Sequence, residues 1–165
     1  MGRPDKDHYY LDIAAAVARR ATCLRRQFGA IIVKDDQIIS TGYVGAPRGS
    51  INCLDLNDCP REKAGIPSGE RYELCRSVHA EMNAIIHASR QEMLGGTLYL
   101  ACLDPATGQR VTGVRPCKLC TRMIINAGLK EVVADGTGGE VVRYLVEDWV
   151  KQDRGEWTPD NMRGY

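Results

Sequence analysis

Two short runs, His79-Ala80-Glu81 and Pro116-Cys117-Lys118-Leu119-Cys120, constrain this chain more than any other feature, because they make sense only if the fold brings them to one point. One imidazole and two thiolates fill three corners of the tetrahedron that zinc prefers. No fourth protein ligand stands beside either run, so the last corner is left for water. Glu81, two residues from the imidazole, adds a base that takes a proton from such a water and returns it elsewhere. That is the arrangement of a catalytic zinc and not of a closed structural one.

The spacing suits helix N-termini. Cys117 and Cys120 are i and i+3 on one helix face, and Pro116 is favoured at a helix start, so both sulfurs leave a first turn in the same direction. The positive end of the helix dipole lies there too and favours the thiolates. His79 and Glu81 point apart in mid-helix, so the expectation is that they lie at the mouth of a helix running from Ala80 to Glu92, where the entering chain is not yet regular. A C-x-x-C alone also fits half a structural site or a redox pair, and an H-x-E alone is weaker. In this order the two form the signature of zinc-dependent nucleobase deaminases.

Further stretches carry a resemblance to a known family. They are Cys23-Leu24-Arg25-Arg26, Phe28 to Val33, Ile39 to Gly49 with Asn52-Cys53, His79 to Ile85, and Pro116 to Cys120 followed by Ile124 to Gly128. Over about residues 8 to 135 the sequence resembles the deoxycytidylate (dCMP) deaminases of the cytidine deaminase superfamily, nearest a microbial branch that includes late-competence proteins. The resemblance implies hydrolytic replacement of the cytosine 4-amino group by oxygen with release of ammonia. It implies His79, Cys117 and Cys120 as ligands of a catalytic zinc. Glu81 then carries a proton first to ring nitrogen N3 and then to the leaving amine, and backbone N–H groups near Ala80 orient the pyrimidine carbonyl. Relatives form dimers or hexamers, so a homo-oligomer is expected.

Composition agrees with that reading and excludes others. The 165 residues are 44% hydrophobic, enough for one domain with a full core, taken as residues 1–165 with a core over 8–152 and an irregular tail over 153–165. A net charge of +1 argues against a protein that tracks a nucleic-acid polymer, and Arg19-Arg20 and Arg25-Arg26 read as solvated helix ends. With no apolar run of membrane-spanning length and no apolar signal core after Met1, no membrane partner and a cytoplasmic location are expected.

The expected elements run in order along the chain. A helix covers Asp7 to Arg20, and strands at Phe28 to Lys34 and Gln37 to Tyr43 form a hairpin across Asp35-Asp36. Val44 to Val78 is a long loop that needs a tether. Then come the helix after His79, a strand at Thr97 to Cys102, the cysteine helix ending near Gly128, a strand at Glu131 to Ala134 and a last helix from Val141 to Lys151. These elements make an α/β fold, a three-layer α/β/α sandwich around a mixed sheet.

Seven cysteines in a chain without a secretory signal are poor candidates for disulfides. Cys102 alternates with Leu98 and Leu100 on one strand face and reads as a core thiol. Cys23, Cys53, Cys59 and Cys75 flank or lie within the long loop and offer its tether as a second, four-cysteine structural zinc. Relatives carry such a zinc, with Cys23 and Cys53 at matching positions; the alternative is four reduced thiols without metal. His8 and His87 are weaker ligand candidates, and His87 reads as a satisfied helix histidine.

Two departures from the family pattern bear on substrate. Val44 stands where relatives carry an Asn in a loop that contacts substrate or the effectors dCTP and dTTP, and a valine offers no amide. Leu103 to Val114 is an insertion that reads as a hairpin beside the pocket mouth. Arg25, Arg26, Arg48 and Arg115 are the candidate phosphate partners, with Arg26 and Arg115 foremost. The leading function is deamination of a small-molecule nucleotide, dCMP to dUMP. A zinc deaminase of another nucleoside, base or modified nucleotide, and a non-catalytic zinc module, are the alternatives; the module has no use for Glu81.

Overall fold

The computed structural model describes residues 2–153 and 155, so the tail read over 153–165 falls largely outside the described residues. Strands β1 (Gln27–Lys34) and β2 (Gln37–Tyr43) form the expected hairpin. Asp35 and Asp36 both take positive φ, 50° and 60°, the pair of left-handed residues that lets a two-residue turn match strand twist. Strand β3 (Thr97–Leu103), buried along its whole length, pairs antiparallel with β1 through Ala30 and Leu100. It pairs parallel with β4 (Glu131–Asp135) through Leu98 and Val132. β5 (Val141–Leu145) closes the far edge antiparallel to β4, giving a mixed sheet in the order β2-β1-β3-β4-β5.

Helices cover both faces of the sheet. Helix α1 (Lys6–Ala18) lays Tyr10, Leu11 and Ala14 on Ile31, Val33, Tyr99, Ala101 and Val133. On the other face, Ala80, Ala84, Cys120 and Ile124 pack on Ile32, Leu98, Leu100 and Val132. They come from helices α4 (Ala80–Ile86) and α6 (Lys118–Ala127). The result is the expected three-layer α/β/α sandwich. Two glycines let helices touch the sheet directly: a Cβ at Gly29 would collide with the backbone of Ala14 and Ala18, and one at Gly42 with that of Ala80 and Ala84. Ser40 Oγ adds a donor to the Ala84 carbonyl at 2.7 Å. The first turn of α4 is therefore held against β2, which fixes where His79 enters.

The loop from Val44 to Val78 has more structure than expected. Gly45 and Val78 exchange two backbone hydrogen bonds, 3.1 and 2.8 Å, that close its base. Between them lie α2 (Cys53–Leu56), α3 (Pro60–Lys63) and a 3₁₀ turn at Tyr72–Leu74.

Three boundaries need correction. The helix expected to reach Glu92 ends at Ile86. Ser89 and Glu92 form a capping box that starts a separate α5 (Arg90–Met93), a local signal that outweighs the continuing apolar period. The helix expected over Val141 to Lys151 is β5 followed by α7 (Val146–Gln152). Val141, Val142 and Tyr144 are strand formers, and β4 offers them an open edge. Pro116 precedes the cap of α6 and is not its first helical residue, because Cys117 is the N-cap.

Candidate metal centre and its cavity

His79 and Cys117 are the N-caps of α4 and α6, so the two chains enter their helices at a common point. His79 has extended backbone, φ −69° and ψ 156°, which is the irregular entry that its pairing with Glu81 demanded. Its Nδ1 lies 3.4 Å from Cys117 Sγ and 3.3 Å from Cys120 Sγ. Among the described residues this trio is the one group of three such side chains whose ligand atoms all fall within 4.8 Å of one another. The donor set fits zinc: Zn–S near 2.3 Å and Zn–N near 2.0–2.1 Å in a tetrahedron set N and S roughly 3.5 Å apart.

The electrostatics are those of a site made for a cation. The hydrogen bond from Cys120, with the His79 contact, brings the Cys117 thiol down to about 4 against the cost of burial. The same shared hydrogen bond, and then burial, push the Cys120 thiol up. Cys117 Sγ also accepts from Cys120 N at 3.5 Å, so the thiolate sits on the first turn of α6. Burial acts to lower His79, but the Cys117 sulfur and the Glu81 charge leave it raised. Glu81 is 4% exposed, and burial pushes its carboxyl up although the His79 imidazole pulls the other way. A carboxyl raised toward neutrality is the form suited to both accepting and returning a proton.

These groups open on a cavity of about 1050 Å³. Ala80, fully buried, borders it, and His79 provides no side-chain cap for the N–H groups of α4. Val44, Arg26 and Arg115 border it as well. Val44 is 7% exposed and held by its own backbone, accepting from Thr22 and donating to Phe28. Arg48 is not among the lining residues; its Nη2 meets His87 Nε2 at 3.0 Å, while His87 Nδ1 donates to the Thr41 carbonyl. His87 is thus a satisfied histidine on the helix end. His8 pairs with Asp5 instead of facing the cavity.

The insertion from Leu103 to Val114 is a tight hairpin. Asp104 N donates to the Gln109 carbonyl, and its carboxylate accepts from the amides of Ala106 and Thr107. Arg110 pins it to Asp135 with two hydrogen bonds, at 3.0 and 2.8 Å, and to Asp12 with one. Its returning arm, Val111 to Val114, forms part of the cavity wall.

Cys23, Cys53, Cys59 and Cys75 also border the cavity, and charge on the other three raises the Cys53 thiol after burial does. Cys102 is fully buried, which pushes its thiol up to about 12, as a core thiol requires. Two neighbours of the metal trio were not legible in the sequence. Tyr72 meets His79 edge-on at 4.7 Å between centroids, and the Arg61 guanidinium lies 4.6 Å over the Tyr72 ring. Only the Pro60 helix start hinted that this loop segment was ordered.

Residues 4–135 match the model of the cytidine and deoxycytidylate deaminase zinc-binding region. A deoxycytidylate deaminase of Mycobacterium phage D29 is 38% identical over 138 residues, covering 81% of this chain and 96% of that protein. One from Schizosaccharomyces pombe is 35% identical, and the chain spans only 37% of its length. In fold, the chain is similar to the dCMP deaminase of cyanophage S-TIM5 solved with dCMP and dUMP, with a TM-score of 0.56, 24% identity, and 81% and 83% of the two chains covered. No helix among the described residues is long and apolar enough to cross a membrane.

Proposed function

This chain belongs to the zinc-binding cytidine and deoxycytidylate deaminase family, and from that premise we propose that it is a hydrolase converting dCMP to dUMP and ammonia. The observation that carries the reading is a buried Glu81 beside a trio of zinc ligands on two helix N-termini. His79, Cys117 and Cys120 would hold the zinc, and when bound it would supply the Lewis acidity for a hydrolytic attack near neutral pH. Glu81 accepts one proton from the attacking water and delivers it to N3 of the pyrimidine, where it stays in the product. It then takes the second proton from the new C4 hydroxyl and gives it to the amine, which leaves as ammonia as the C4 carbonyl forms. Burial raises the Glu81 carboxyl, which helps it hold the proton between the two transfers. The uncapped N–H groups at the start of α4, near Ala80, orient the ring carbonyl. The test is conversion of dCMP by the zinc-loaded protein, read as ammonia and dUMP.

A second zinc on Cys23, Cys53, Cys59 and Cys75 completes the proposal. Its support is that Cys23, Cys59 and Cys75 lie close enough to Cys53 to raise its thiol after burial does, in a long loop that needs a tether. Metal analysis of the purified protein is expected to give two zinc ions per chain. Cys75→Ser should release one, keep the other and lower the melting temperature; an unchanged metal count would reject the four-cysteine site. Val44 presents only methyl groups where an effector's sugar or base needs a partner, so weak or absent dCTP and dTTP regulation goes with this reading. So do a cytoplasmic location and a homo-oligomer, a dimer or hexamer; exposed Ile86 and Leu94 support the latter.

A further inference from the structure

Arg61 is only 6% exposed and borders the same cavity as His79 and Glu81. A guanidinium keeps its charge in a protein, so burying one demands compensation. Little is supplied. One Nη2 donates to the Pro67 carbonyl at 3.1 Å, the Tyr72 ring lies beneath the plane, and the buried Nε has no acceptor. No carboxylate among the described residues pairs with Arg61, and the nearby Glu73 is engaged by Arg71.

Four other arginines of the cavity are less buried than Arg61, so their charge demands less of a ligand. Arg25 donates to the Ile66 carbonyl, Arg26 to that of Arg25, and Arg76 twice to that of Ile51. Arg115 leans over Tyr144 at 5.9 Å. Position also favours Arg61. Tyr72 packs T-shaped against His79 and carries Arg61 over its ring, at 4.7 and 4.6 Å, which puts the guanidinium one ring beyond the imidazole. A nucleoside monophosphate has the same layout, with a single sugar ring between the base and the phosphate.

We propose that Arg61 is the phosphate anchor of the substrate site and thereby selects nucleotide over nucleoside. The inference rests on the nucleotide reading above. The phosphate monoester accepts from the guanidinium Nη groups, giving the buried charge its missing anion. Tyr72 holds the guanidinium plane in register with the metal trio.

Calorimetric binding of dUMP and of deoxyuridine to zinc-loaded protein tests this without depending on turnover. Arg61→Gln is expected to weaken dUMP by ~10²-fold, the scale of losing one partner of a buried, hydrogen-bonded charge pair, and to leave deoxyuridine unchanged. Arg61→Lys keeps the charge but loses the planar fork, and should fall between the two. It is the deciding variant if Arg61→Gln does not fold. Equal weakening of both ligands would reduce Arg61 to a loop-packing residue, and an undiminished preference for dUMP would also overturn the assignment. A wild type that binds dUMP no better than deoxyuridine would instead sink the nucleotide reading itself.

Discussion

Glu81→Gln is expected to retain its zinc and its affinity for dUMP while losing turnover by ~10² to 10⁴-fold, the range of one general acid–base group. Glutamine preserves the volume at a site that is 4% exposed, so packing at the start of α4 should survive. What it cannot do is carry a proton. Among the described residues no other carboxylate joins the metal trio, so nothing there replaces the lost proton transfer. The variant should therefore lower kcat with little change in KM. Metal content, dUMP binding and turnover measured on one preparation separate this from damage to the site. Turnover within a few-fold of wild type would reject Glu81 as the proton carrier.

Cys120→Ser should have a larger effect, because it removes the chemistry and not one step of it. Cys120 is fully buried and lies 3.3 Å from His79 Nδ1, and a hydroxyl is a much poorer zinc ligand than a thiolate. The expected outcome is loss of one zinc per chain and of detectable deamination. Removal of zinc from wild type with a chelator should reproduce the loss, and added zinc should restore activity only in wild type. A Cys120→Ser protein that keeps both its full metal complement and its rate would show that the cysteine is not a ligand.

Legibility in the sequence followed the range of the forces involved. His79 and Cys117 declared themselves because the chemistry needs fixed residue types at fixed spacing, and helix N-termini are the local structures that meet that spacing. The Asp35-Asp36 turn and the buried runs of β1 and β3 were equally local. Errors arose where a competing signal was weak or distant. Ser89 and Glu92 interrupt a helix through a four-residue box hidden inside an apolar pattern. Val141 to Leu145 became a strand because β4 had an edge to fill, which no window of sequence displays. Arg61 and Tyr72 reach His79 through a loop closed by Gly45 and Val78, and only tertiary structure makes them neighbours.

The most direct measurement supplies the zinc-loaded protein with dCMP, deoxycytidine and cytosine in parallel and follows ammonia together with the identity of the product. The account predicts one ammonia per dUMP formed from dCMP, with a kcat/KM well above those for the nucleoside and the free base. No ammonia from any of the three, or faster turnover of deoxycytidine or cytosine than of dCMP, would contradict it.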